Sequence, residues 1–326
     1  MDDSPLGLER KDMQNNNDPR HHGRIETNGA RDVIRLATFD QNRGLLFSIA
    51  YRMLGTVADA EDMLQETFIR WQQSSDDDIR SPRAFLVTII SRLCVNHLQS
   101  ARVQREEYFG EWLPEPLVTD PRSDPLTALK IDESLSMAFL VLLERLTPVE
   151  RAVFLLHEVF NYKHTEIAET LGQSEANCRQ ILRRARQHVG DVGRRFKASA
   201  EERNDLLERF LRATRNGEMD GLIALLSRDV VLYSDGGGKG IAVPKRIHGA
   251  ERVARGIMGG LRTTVPKDLV IRAAQINGER GLVGYLNGKP YSVLTLHLND
   301  GRIQAIYIVT NPEKLSRLPE LPEDPG

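Results

Sequence analysis

Between residues 164 and 190 the chain reads HTEIAETLG and then QSEANCRQILRRARQHVG. No other stretch narrows the possible folds as much. Gly172 suits the left-handed position that ends a helix, and Ser174 suits the N-cap of the next, which opens at Glu175. Short helix, glycine turn and second helix make a helix-turn-helix. In the second helix Cys178, Leu182, Ala185 and Val189 fall at i, i+4, i+7 and i+11, a narrow apolar stripe that packs inward. The opposite face carries Glu175, Arg179, Gln180, Arg183 and Arg184. From 174 to 197 seven Lys/Arg (Arg179, Arg183, Arg184, Arg186, Arg194, Arg195, Lys197) stand against two acids, Glu175 and Asp191. Arginine suits phosphate, and Arg or Gln near a helix start reaches base edges in the major groove. A solvated basic face is the plain alternative. Turn, cap and stripe agree, so DNA contact is the better reading.

Upstream, the segment LTPVER starts a helix with Thr147 as cap, Pro148 at the first position and Glu150 closing a capping box. The whole of 131–197 reads as helical. So does 35–105, where Phe39, Leu46, Ile49, Ala50, Met53 and Leu54 form one stripe ending at Gly55, and Leu64, Phe68 and Trp71 form another. After the polar loop SSDDDIRSP, Ser81 and Pro82 suit the start of a long helix. From Arg80 to Arg105 there are five arginines and no acid, whereas DAEDMLQE just before is acidic. One polyanionic and one positively charged or mixed partner would suit that contrast; a plain three-helix domain is the alternative. Residues 106–130, with four prolines in EEYFGEWLPEPLVTDPRSDP, read as an extended linker, although Trp112 and Leu113 would be wasted in a pure spacer. Residues 1–31 read as a disordered polar tail, and His21-His22 has no further ligand nearby to make a metal site.

Residues 203–310 change character. Two amphipathic helices (NDLLERFLRATRNG and EMDGLIALLS) precede a strand, DVVLYSD. A strand over 241–247, a helix (GAERVARGIMGGL) and strands over 268–276, 281–286, 290–298 and 302–310 follow, with hairpin turns at LNGK and NDGR. This order predicts an α+β domain with a curved antiparallel sheet. The glycine run DGGGK at 235–239 lacks the GxxxxGK[ST] spacing of a phosphate loop and is followed by GIAVPKRI, not by a helix. Glycines at a strand end permit positive φ and close backbone approach, and they set Asp235 and Lys239 near the mouth of a cup. A plain turn is the alternative.

The net charge of −2 over 326 residues leaves nucleic-acid affinity to local patches. The only cysteines, Cys94 and Cys178, fall in helical patterns and fit a reducing compartment. The apolar run AFLVTIIS is too short to span a bilayer, and no signal-type apolar core opens the chain, so a cytoplasmic protein without membrane or metal is expected.

GTVADAEDMLQETFIRWQQ and SPRAFLVTIISRLCVNHLQSAR resemble the second conserved region of bacterial sigma factors. LTPVERAVFLLHEVFNYKHTEIAETLGQSEANCRQILRRARQHV resembles the fourth. With only a linker between, the order is that of the extracytoplasmic-function group. EEYFGEWLPEP, DGGGK and NPEKL (311–315) together look like the SigJ-type subset, whose C-terminal domain is related to SnoaL-type cyclases and ketosteroid isomerase. The resemblance spans about residues 35–316 and implies two all-α sigma domains, then an α+β cone at 203–316 and a tail at 317–326. It implies core RNA polymerase (β′ clamp and β flap) and promoter DNA as partners, with no cofactor. Asp59, Asp62, Gln65, Glu66 and Phe68 match the polymerase-docking helix. The 74–82 loop with Arg80, Arg83, Arg92, Asn96 and Arg102 matches the −10 element reader. Ser174, Glu175, Arg179, Gln180, Arg183 and Arg184 match the −35 reader. Trp112, Leu113, Pro114, Asp235, Gly236, Gly237, Gly238, Lys239, Asn311, Pro312 and Lys314 match an intramolecular regulatory interface. Lys163 departs from the pattern, since a hydroxyl residue often caps that helix in relatives.

A catalytic cup would draw on Asp235, His248, His297, Tyr233, Tyr285 and Tyr307, none of which forms a spaced motif. A small-ligand sensor fits an apolar cup better. Two rivals stand beside a sigma factor regulated in cis. One is a stand-alone DNA-binding regulator, which leaves the acidic helix without a partner. The other is an isomerase- or cyclase-type enzyme, which needs Asp235 facing into the cup.

Overall fold

The computed structural model describes residues 19–75, 79–106, 108, 110–118, 135–190 and 199–321, apart from the side chains of 19–30 and 101–106. Helices α1 (Pro19–Leu54), α2 (Val57–Gln73) and α3 (Pro82–Glu106) form the first helical unit. Helix α1 begins well inside the polar stretch expected to be disordered. Proline is favourable at a helix start, and a helix anchored by its packed C-terminal half propagates outward at little cost. Residues 1–18 and the side chains of His21 and His22 lie outside the described residues. At the other end Gly55 takes φ +77°, and Thr56 caps α2 by accepting from Asp59 N.

The second unit comprises α4 (Met137–Leu143), α5 (Pro148–Phe154) running into a π-helical turn (Leu155–Val159), α6 (His164–Leu171) and α7 (Glu175–Val189). The capping box of Thr147 and Glu150 is present, and Gly172 (φ 65°) and Ser174 punctuate α6 and α7 as the sequence expects. Lys163 supplies no side-chain cap. Its own N–H donates to Glu166 Oε2 at 2.7 Å, so half of a capping box survives.

The two units do not hang apart on their linker: one continuous core runs from Phe39 and Leu46 in α1 to Leu182 and Val189 in α7. Arg151 donates to the Met53 carbonyl at 2.6 Å, which ties α5 to the end of α1.

The C-terminal unit has α8 (Ala200–Asn216), α9 (Met219–Leu225), β1 (Leu226–Asp235), β2 (Ile247–His248), α10 (Ala250–Thr263), β3 (Val270–Ile276), β4 (Glu279–Leu286), β5 (Lys289–Asn299), β6 (Arg302–Val309) and α11 (Pro312–Leu315). The six strands lie in the order β2-β1-β6-β5-β4-β3, antiparallel except that β1 runs parallel to β6. Asn287-Gly288 and Asp300-Gly301 both take positive φ, the paired geometry that tight hairpin turns require. The strand expected over 241–247 shrinks to Ile247–His248, because Gly240–Val243 turns over the end of the sheet instead of pairing along it.

Alternation along the strands gives the sheet two apolar faces. Leu232, Leu282, Leu296 and Ile306 pack beneath α8, α9 and α10. Val283, Tyr285, Val293, Tyr307 and Val309 face the other way, onto Leu113 of the linker, Met137 and Ala138 of α4, and Leu315 and Leu318 beyond the sheet. A one-residue slip would exchange these faces, so the register fixes which side meets the helical units.

Candidate functional site

The three segments WLPEP, DGGGK and NPEKL meet at one buried carboxylate. Asp235, the last residue of β1, is fully buried. Its Oδ1 accepts from Tyr108 Oη at 2.6 Å and from Gly237 N at 3.0 Å. Its Oδ2 accepts from Leu113 N at 2.9 Å and from Lys314 Nζ at 2.7 Å. Lys314 also donates to the Leu113 carbonyl and sits 4.3 Å from the Trp112 ring centroid. Asn311 Nδ2 donates to Tyr108 Oη at 2.9 Å, and burial together with Asp235 pushes the Tyr108 phenol above its usual range. A buried ion pair is tolerable only when its remaining hydrogen-bonding capacity is filled, as here.

Glycine is needed where this cluster is tightest. Gly237 has φ +59°, and a Cβ there would lie 2.4 Å from Asn311 Nδ2. Gly236 and Gly238 complete the turn. Lys239, by contrast, reaches exposed Glu313 at 2.5 Å and leaves the buried cluster alone. Pro312 opens α11, whose cap is Asn311.

A second part of the junction was not singled out from the sequence. Tyr51 donates to the Glu115 carbonyl at 2.7 Å and accepts from Asn277 Nδ2 at 2.6 Å. Asn277 N donates to Leu117 O at 2.8 Å, so the linker extends the edge of β3. Glu115 Oε2 accepts from Val57 N at 2.8 Å, while burial pushes its carboxyl above the usual carboxylate range. Trp112 lies against Gly55, where a Cβ would come within 2.6 Å of its ring. Glu111 accepts from Arg246 at 2.9 Å. The one legible signal was the pair Trp112 and Leu113; Tyr51 and Asn277 stood in ordinary helix and turn patterns. Pro114 and Glu115 are buried with them.

On α7 the apolar stripe of Cys178, Leu182, Ala185 and Val189 is buried, joined by Ile181. Arg179, Gln180, Arg183 and Arg184 are exposed on the opposite face with Ser174, and Glu175 pairs with Arg179. Arg194, Arg195 and Lys197 lie outside the described residues. Cys94 and Cys178 are buried in the core, and burial raises both thiols above the usual range.

On α2, Asp62 and Gln65 are exposed. Glu66 pairs with Arg70 at 2.7 Å, and Asp59 accepts from the hydroxyl of the capping Thr56 and lies 3.5 Å from His97. Phe68 packs edge-on against Phe39, 4.9 Å between centroids. Arg317 pairs with Glu61 on this helix, so the end of the chain reaches the acidic face. Residues 317–321 are thus no free tail: Leu318 is buried and Leu321 N donates to Gly288 O at 2.8 Å.

On and before α3, Arg80, Arg83 and Asn96 are exposed. Arg92 donates to the Thr170 carbonyl at 2.7 Å and to Glu169 O at 3.1 Å. Its guanidinium therefore satisfies carbonyls at the end of α6 and holds the two helical units together. The side chain of Arg102 and residues 76–78 of the loop lie outside the described residues.

The six groups considered for a catalytic cup do not line one. Asp235, Tyr233, Tyr285 and Tyr307 lie on the sheet face turned to the linker and α4, with Tyr233 stacked on Tyr307 at 5.1 Å. His297 lines a small gap with Arg145 and Tyr307 on that same side, and His248 is exposed on the edge strand. Asp235 was expected near the mouth of the cup. Alternation along β1 turns Ser234 into the cup and Asp235 away from it. Among the described residues no cluster of His, Cys, Asp or Glu could hold a metal, and no helix is long and apolar enough to cross a membrane.

A helical unit joined to a second one bearing a helix-turn-helix is the architecture of sigma-70-type promoter recognition. The Sigma-70 region 2 family matches residues 38–103, and the Sigma-70 region 4 family matches 136–189. The chain is 36% identical over 297 residues to the ECF RNA polymerase sigma factor SigJ of Mycobacterium tuberculosis, covering 88% of this chain and 95% of that one. It is 32% identical over 286 residues to the probable ECF sigma factor SigI of the same organism, covering 86% and 95%. The crystal structure of M. tuberculosis SigJ superposes with a TM-score of 0.69 at 35% identity, covering 86% of this chain and 98% of that chain. The chain belongs to the ECF RNA polymerase sigma factors. Its function is transcription initiation through DNA binding, and its two sigma domains are followed by an α+β domain.

Proposed function

We propose that this sigma factor is regulated in cis, its α+β domain clamping the helical units through the Asp235 junction. The carrying observation is that one buried carboxylate takes hydrogen bonds from the linker and from Lys314 beyond the sheet at once. While the clamp is closed, Arg92 is occupied by α6 and Arg317 covers part of the α2 acidic face. Promoter engagement requires the helical units to part, so the clamp sets the population able to do so.

Asp59, Asp62, Gln65, Glu66 and Phe68 then form the α2 surface for the β′ clamp of core polymerase, and the second helical unit meets the β flap. Arg80, Arg83, Arg92, Asn96 and Arg102 serve the −10 element, where an opened strand needs a basic track. The exposed row of Arg179, Gln180, Arg183 and Arg184, opened by Ser174 and Glu175, reads the −35 element. The protein acts by binding, without covalent chemistry, in the cytoplasm with its polymerase. The enzyme alternative required Asp235 in the cup, and that side chain points to the linker.

Run-off transcription with core polymerase tests this, using the full chain beside Asp235→Asn. Promoter-specific transcripts whose yield or promoter choice changes in the variant support regulation in cis. Identical profiles would overturn it. DNA binding without initiation by either protein would favour a stand-alone regulator.

A further inference from the structure

Behind the junction, on the other face of the same sheet, lies a cavity of about 340 Å³. Phe210, Leu232, Ile257, Leu282, Leu294 and Ile308 are among its apolar lining residues. Among the described residues, no Asp, Glu, Lys, Arg or His lines it. Ser234, Tyr291 and Ser292 are hydroxyl-bearing residues of the lining. A void of this size sits at the lower end of small-molecule sites, and an apolar wall with a few polar groups is their usual make-up. Without a charged group in the wall, an ionised ligand would be buried unpaired at a prohibitive cost. The part of an occupant that lies within this wall has to be neutral.

The cavity and the junction share structure. Ser234 faces the cavity, while Asp235, the next residue, faces the linker. The turn from Asp235 continues through Gly236, which accepts from Gly240 N at 2.6 Å, into Ile241, Ala242 and Val243, which close one side of the cavity. Thr310 pins that side: its hydroxyl donates to Ile241 O at 2.7 Å and its N–H to Asp235 O at 2.7 Å.

We infer that this cavity binds a neutral, largely apolar small molecule carrying a hydrogen-bonding group, and that its occupancy is linked to closure of the Asp235 junction. The linkage, though not the site, rests on the regulation in cis proposed above. It is reciprocal: an occupant that favours the closed junction binds less well when the junction is broken.

The test is a fluorescence titration of the full chain with N-phenyl-1-naphthylamine, a neutral apolar dye. The comparison dye is 8-anilino-1-naphthalenesulfonate, the same ring skeleton with a fixed anion. Saturable one-to-one binding of the neutral dye is expected, with the anion about 100-fold weaker. Two variants fill the space from opposite walls, Gly260→Phe on α10 and Leu294→Trp on β5. A Cβ at Gly260 meets no atom within 4 Å, so the helix tolerates the change. Each filled variant, with unaltered circular dichroism, should bind the neutral dye about ten-fold more weakly or worse. Asp235→Asn should weaken it about five-fold by freeing the Ile241–Val243 wall. Non-saturable uptake, equal affinity for the anion, or undiminished binding to folded filled variants overturns the site. Unchanged affinity in Asp235→Asn overturns the linkage. If the dye behaves as expected but Asp235→Asn transcribes like the wild type, regulation in cis fails and the site stands.

Discussion

Removing the Asp235 carboxylate should open the junction, and the size of the effect follows from what is left behind. In Asp235→Ala the Lys314 ammonium remains only 7% exposed, and its carboxylate partner is gone. Breaking a buried pair by deleting one partner costs about 3–5 kcal/mol, because the other charge stays desolvated. Tyr108 and Leu113 N lose their acceptor as well, a non-additive further loss of about 1–3 kcal/mol for each group left buried. Amide hydrogen exchange of the full chain reads this locally, since Leu113 N–H donates to the deleted group. Protection in residues 110–118 should fall roughly 150- to 5,000-fold if that free energy is local to the junction. Lys239→Ala is the internal control from the same motif. Its partner Glu313 is exposed, and the two side chains are 65% and 69% accessible, so protection of 110–118 should not change. Unchanged protection in Asp235→Ala, or an equal fall in Lys239→Ala, would refute the assignment of the junction to the carboxylate.

Glu115→Gln should strengthen the linker's hold on α2 near neutral pH. Burial raises the Glu115 carboxyl, so the fold binds a proton more readily than the unfolded chain. This contribution favours the fold below the unfolded value and is lost as pH rises through the raised one. The variant keeps an acceptor for Val57 N–H and should flatten that slope in thermal melts between pH 4 and 7, where the wild-type slope is its measure. Gly237→Ala should destabilise the junction by about 1 kcal/mol or more, from the left-handed φ plus the clash with Asn311, seen as faster exchange in 110–118. Arg183→Ala should weaken binding to promoters with the cognate −35 element by about 1–3 kcal/mol if the side chain makes a bidentate base contact, read by electrophoretic mobility shift. Equal affinity would remove Arg183 from the reading row.

Most of the helical half was legible because its signals are local. Thr147-Pro148, Gly172-Ser174 and the Cys178–Val189 stripe act over a turn or two of helix, where spacing alone decides burial. The hairpin turns of the sheet were legible for the same reason. The 241–247 segment was not: whether an apolar run pairs or turns depends on what lies across from it, and Gly240 passes so close to Thr310 that a Cβ would sit 2.2 Å from its carbonyl oxygen.

The sequence by itself determined most of the helices, the hairpin turns and the exposed basic face of α7. Those follow from periodicity and capping, which any single segment carries within itself. Only the tertiary structure decided that the two helical units share one core, that Arg92 is held by α6, and that Asp235 faces the linker while Ser234 faces the cavity. Each depends on contacts between residues far apart in the chain: Asp235 with Leu113 and Lys314, Tyr51 with Asn277. Strand alternation allows two orientations for any β1 residue. Packing of the whole sheet against α8–α10 on one face and the linker on the other selects between them.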